Sequence, residues 1–171
     1  MTPAAELLVD GFDRVRAAVH RVLADVPVEQ LAWRPDAGAN PIGWLVWHLT
    51  RVQDDHLADA AGTGQVWMTA GWVERFGLDR DPAATGFGDS PAEVARVRIG
   101  DPGLLAGYHD AVHEQTAHWV GQLSDADLAR VVDDFWDPPV TLGVRLVSVL
   151  DDDLEHAGQA AYVRGLLDRS T

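Results

Sequence analysis

The sequence predicts an all-α protein, a four-helix bundle with a long connection between its second and third long helices. Three observations lead there. Apolar residues recur at three- and four-residue steps through four long segments. Prolines, glycines and small polar residues cluster between those segments. No internal repeat and no alternating pattern of strand length occurs. At 171 residues, the chain fits one domain spanning 1–171, large enough to bury a core without staples.

The first helix is read over about 3–25, where Leu7, Leu8, Phe12, Val15, Val19, Val22 and Leu23 mark one face ahead of Val26-Pro27. Breakers fill 29–40. Asn40-Pro41 then offers an N-cap followed by a first-turn proline, opening a second helix over about 41–60 that Gly62 closes with a left-handed C-cap. From 63 to 101 the pattern weakens. Short helices are expected at 69–76 and 90–97, the latter with the capping-box spacing Ser90…Glu93. Trp67, Trp72 and Phe76 are too apolar for a solvated tether, so this excursion is expected to fold over one end of the core. Asp101-Pro102 starts the third long helix, Ser124 a short turn, and 141–167 the last helix after a loop at 133–139.

Thirteen basic residues, all arginine, stand against twenty-seven acids, for a net charge of -14. Such a surface repels nucleic acid and anionic membrane, so neither is expected as a partner. The acidic start lacks the basic, then apolar, character of a signal peptide, and no apolar run approaches a membrane span, which points to a cytoplasmic protein. Without lysine, Schiff-base and P-loop chemistry are excluded. Without cysteine, a metal must be held by His, Asp or Glu. No serine nucleophile elbow, glycine-rich phosphate loop or HExxH motif occurs.

Seven histidines supply the candidate ligands. In the last helix Asp152 and His156, four apart, reach the same side, and Asp153 with His156 at three apart competes. Leu142, Leu146, Val149, Leu150, Leu154, Ala157 and Ala161 define an apolar arc; Asp153 points into it, and Asp152 and His156 lie at its border. In the second helix Ile42, Leu45, Leu49, Val52 and His56 form the seam, so periodicity favours His56 as the inward histidine over His48, with Asp55 two turns beyond His48 on its face. His109 and His113 form a rival i,i+4 pair, although the flanking acids read His109 as solvated and leave His113 to line a pocket. Trp44, Trp67 and Trp72 suit either a pocket wall or the core.

The runs Asn40–His56, Gly71–Leu78, Gly107–His113 and His156–Gly165 together resemble the DinB-like (YfiT-like) metal-binding helix-bundle superfamily. More narrowly, they are similar to its mycothiol-dependent branch, related to the N-terminal domain of mycothiol-dependent maleylpyruvate isomerase. The resemblance implies metal ligands at His48, Asp152 and His156, selecting His48 over His56 and Asp152 over Asp153. Asp152 stands where the branch usually carries Glu, so the ion would sit nearer the last helix or be met through a water. Gln159, Asp55 and His113 are supporting or pocket candidates. The implied cofactors are a divalent ion, zinc first with nickel or iron as alternatives, and mycothiol or a similar thiol. The implied activity is metal-dependent thiol S-transfer onto a small electrophile in detoxification. The alternatives are a hydrolase or isomerase at the same site, or a non-enzymatic stress-related metal-binding protein. Exposed tryptophans on an acidic bundle would be compatible with a homodimer.

Overall fold

A computed structural model describes residues 1–170; the final residue of the expected domain, Thr171, lies outside the described residues. Four long helices build the bundle: α1 (Pro3–Leu23), α2 (Ile42–Ala61), α6 (Pro102–Val120) and α8 (Leu142–Ser170). Short helices α3 (Val66–Thr69), α4 (Trp72–Phe76), α5 (Pro91–Val94) and α7 (Asp125–Leu128) lie between them. α2 and α1 each pack against both α8 and α6, which sets α1 and α2 at opposite corners. No helix among the described residues is long and apolar enough to cross a membrane.

Local chemistry explains most of the boundaries. Thr2 accepts a hydrogen bond from Ala5 N at 3.2 Å to open α1, and Asp101 accepts from Gly103 N at 2.8 Å to open α6. Ser90 and Ser124 form full capping boxes with Glu93 and Asp127. Gly62 ends α2 at φ 68°, ψ 32°, the left-handed conformation that glycine adopts without a Cβ penalty. Asn40, by contrast, is not the cap of α2. Pro41 occupies that position in extended conformation, with no side-chain cap bond, and the helix begins one residue later.

The expected helix at 69–76 is two helices, parted where Gly71 turns to φ 71°. α3 starts early because the Asp54 carboxylate, about two turns from the end of α2, accepts from the backbone N–H groups of Val66 and Trp67 at 2.8 and 2.7 Å. A two-stranded antiparallel hairpin, β1 (Val131–Asp133) and β2 (Val140–Thr141), stands where only a loop was expected. Strands of two or three residues are too short for alternation to register. In α8 the buried line is Leu142, Leu146, Val149, Asp153, Ala157, Ala160, Val163 and Leu167, whereas Leu154 and Ala161 are exposed. These buried positions follow the 3.6-residue period, and Leu154 and Ala161 each lie about 100° from a member of the line.

The excursion after α2 covers one end of the core, with Trp67 and Trp72 packed at 5.1 and 5.6 Å from the Tyr108 ring. Both are core residues. Among the tryptophans only Trp136 is exposed, so the expectation of several exposed indoles does not hold. The core itself falls into two apolar clusters. One takes Val15, Val19, Leu45, Leu49, Leu105, Val112, Ala157 and Val163; the other takes Phe12, Leu57, Val120, Leu142, Leu146 and Val149. Between them along the helices run buried polar residues: Thr50, Gln53 and Asp54 on α2, Thr116 on α6 and Asp153 on α8.

Candidate metal centre

Among the described residues, one group of three or more His, Asp or Glu side chains could hold a metal ion: His48, Asp152 and His156. One ligand atom from each lies within 4.8 Å of the others. α2 and α8 run antiparallel here, since His48 meets His156 at a ring separation of 4.8 Å while His56 meets Arg145 further along. Asp152 and His156, one turn apart on α8, then face His48 from a single side.

Each histidine is oriented from behind. His48 is buried, and its Nδ1 lies 2.6 Å from the backbone oxygen of Thr85. A carbonyl can only accept, so Nδ1 carries the hydrogen and Nε2 keeps its lone pair. Trp44 stacks on the same imidazole at 4.5 Å and 17°. His156 Nδ1 donates to Gln159 Oε1 at 3.1 Å, leaving its Nε2 3.6 Å from Asp152 Oδ1. The other carboxylate oxygen, Asp152 Oδ2, is buried with no hydrogen-bond partner.

Burial pushes the His48 pKa down, only partly opposed by the Thr85 bond. The Asp152 hydrogen bond raises His156 against the effect of burial. Burial would raise Asp152, but His156, His48 and His56 outweigh it and hold the carboxyl below its usual range. An anion with one oxygen unsatisfied, beside the His48 Nε2 lone pair and a His156 Nε2 whose proton a cation would replace, is a set of donors suited to a cation. Ligand distances of about 2.0–2.2 Å imply ligand atoms about 3.4 Å apart around a tetrahedral ion, so the existing 3.6 Å pair fits and a spacing of up to 4.8 Å closes by at most about 1.4 Å.

The rival residues go elsewhere. His56 accepts at Nδ1 from Arg145 Nη1 at 2.8 Å, because a guanidinium can only donate. Its Nε2 therefore carries the proton and offers no lone pair, contrary to the inward-facing ligand that periodicity favoured. Arg145 is itself fixed by Asp133 at 3.1 Å. Asp153 is buried with neither oxygen partnered, as its place in the apolar arc predicts, and burial followed by the Asp152 charge pushes its pKa well up. His109 is not solvated. It is wholly buried, with Nδ1 3.1 Å from Thr50 Oγ1, and burial lowers its pKa to about 3. The flanking acids occupy the outer face of α6, and His109 falls on the inner one. His113 does not converge with it, meeting Asp13 of α1 at 2.7 Å and lining a shallow cleft with Arg16 and Asp110. Asp55 accepts from Gln65 at 2.6 Å rather than from any of the three candidate ligands.

Sequence reasoning missed Thr85 and the residues around it. A backbone carbonyl has no side-chain signature, and the contact spans 37 positions. The glycine-flanked run Thr85-Gly-Phe-Gly88 was the one available signal of a tight backbone approach.

No curated protein matches the chain. A solved structure described as a conserved protein from Enterococcus faecalis is similar to it at 30% identity, covering 96% of each chain with a TM-score of 0.90. Residues 11–160, which carry all three clustered side chains, match the DinB superfamily, and the chain belongs to that superfamily.

Proposed function

We propose that this protein is a metal-dependent thiol S-transferase, holding a divalent ion through His48, Asp152 and His156 and conjugating a low-molecular-weight thiol, mycothiol or a similar one, to an electrophilic small molecule. The observation that carries the metal reading is the orphaned Asp152 Oδ2 beside two imidazoles whose Nδ1 hydrogens are already engaged. Two histidines and a carboxylate leave at least one position open, the arrangement of catalytic rather than structural zinc. The same donors accept iron or nickel. When bound, such an ion supplies positive charge that favours the deprotonated form of a thiol. The chain's own residues hold and orient: Thr85 and Gln159 fix the rings, and Trp44 with the buried wall of α2 keeps water from one side of His48. With no cysteine in the sequence, the sulfur nucleophile must come from the co-substrate. The resemblance to the mycothiol-dependent branch supports that choice.

Two measurements test this. Metal analysis of the purified protein should give about one divalent ion per chain, and His48→Ala and His156→Ala should lose it; equal metal content in all three would sink the site. Turnover of chlorodinitrobenzene or a bimane should require both the ion and added thiol. Turnover without thiol would overturn the transferase assignment in favour of hydrolysis.

A further inference from the structure

The excursion between α2 and α6 does more at the bundle end than cover it. Its Thr85 carbonyl approaches His48 closely enough that the next residue has no room for a side chain. Gly86 sits at φ 93°, and a Cβ there would lie 2.9 Å from Trp47 Cζ3, 3.0 Å from His48 Nδ1 and 3.1 Å from Trp44 Cζ2. All three neighbours are packed rings on a buried helix face, so none can swing away cheaply. A few residues on, Asp89 accepts from the Trp44 indole N–H at 2.9 Å. Arg80 holds the same carboxylate with two bonds, at 3.1 and 2.9 Å, while its guanidinium lies 4.6 Å from the Trp47 ring. His48 is thus gripped in its plane by Thr85 and across its face by Trp44, and both grips are anchored in the excursion.

We infer that the 80–89 segment is a positioning brace for the metal centre, with Gly86 and Asp89 as positioning residues that set the tautomer and the angle of His48. The inference rests on the metal reading above, and it assigns a role to residues that touch no ion. Gly86→Ala forces the Thr85 carbonyl off Nδ1. The ring is then free to take the other tautomer, whose Nε2–H cannot ligate. Asp89→Asn removes the charge and one of the two acceptor oxygens that Arg80 holds, and Trp44→Phe keeps an aromatic face while removing the indole bond.

Cobalt(II) gives the test. Affinity is measured by competition with a chromophoric chelator, ligand geometry by the visible d–d bands, and the His48 tautomer in ion-free protein by long-range proton–nitrogen-15 spectra. Gly86→Ala is expected to weaken cobalt binding by about 10–100-fold and to alter the bands. Asp89→Asn and Trp44→Phe should move both readouts in the same direction by less. Binding and bands equal to the parent's in all three would overturn the brace. Failure of the parent to bind cobalt would overturn the metal reading instead. The brace would then be judged on the ion-free spectra, where Nδ1–H of His48 in the parent and its loss in Gly86→Ala are required. If Gly86→Ala does not fold, the other two variants decide.

Discussion

Replacing Asp153 with asparagine should stabilise the protein, by an amount that grows with pH. Asp153 has 0% exposure, lies between Val149 and Ala157 on the buried face of α8, and finds no partner for either oxygen. Burial raises its pKa well above that of a free aspartate, so the folded chain holds a proton that the unfolded chain gives up near pH 3.9. Between those two values the folded state binds more protons, and its stability falls as pH rises. The slope is at most about 1.36 kcal/mol per pH unit. From pH 3.9 to 7 the loss reaches at most about 4 kcal/mol. Asparagine has nearly the same volume and never ionises, but its amide is also unpaired in the core and returns about 1–2 kcal/mol of that gain. The net stabilisation at pH 7 therefore has a ceiling of about 2–3 kcal/mol, worth at most about 12 °C in Tm. The assay is urea unfolding followed by helical circular dichroism at pH 4.5, 6 and 7.5, with chelator present. An asparagine variant less stable than the parent at pH 7.5, or a gap that stays constant with pH, would refute the reasoning.

His109 gives the opposite dependence. Its folded pKa of about 3 lies below the free value, so the unfolded chain takes up the proton first, and stability is lost as pH falls from about 6.5 towards 3. His109→Gln should flatten the acid side of the stability profile by on the order of 1 kcal/mol per pH unit, and an unchanged acid limb would contradict this. Asp54→Ala should cost about 3–5 kcal/mol in denaturant unfolding. It takes the acceptor from the Val66 and Trp67 N–H groups and the Tyr108 hydroxyl at once and removes the carboxylate 3.7 Å from the wholly buried Arg51 guanidinium, and a loss under 1 kcal/mol would contradict that account.

The four long helices could be read from the chain because each repeats its apolar residues for many turns, and some end or start at residues with a physical reason to do so, such as Gly62 after α2 and Asp101 before α6. Reading failed where the deciding partner lay far away in sequence. Asp54 starts α3 from another helix, a start that periodicity within 66–76 does not show. In the candidate site, periodicity placed Asp152, Asp153 and His156 on the right arcs of α8. It preferred His56 to His48 because α2 is buried over most of its circumference, so nearly every face looks inward. Only the resemblance selected His48. The burial of His109 was missed for a related reason: α6 is weakly amphipathic, and its acids mark one edge of the helix without showing where the core side ends.

The buried polar level between the two apolar clusters acts on the ligand-bearing helices as an index mark. Leucine and valine tolerate a slide of one helical turn, because each apolar cluster offers similar surface above and below. Asp153, buried on α8, does not. A one-turn shift of α8 along α2 would drive Asp153 into one of the purely hydrocarbon layers, while the Thr50–His109 and Gln53–Thr116 bonds hold the register of α2 against α6. The layer that lowers stability at neutral pH therefore narrows the choice of alignment between the helix carrying His48 and the helix carrying Asp152 and His156, with the mark one residue away from the carboxylate it aligns.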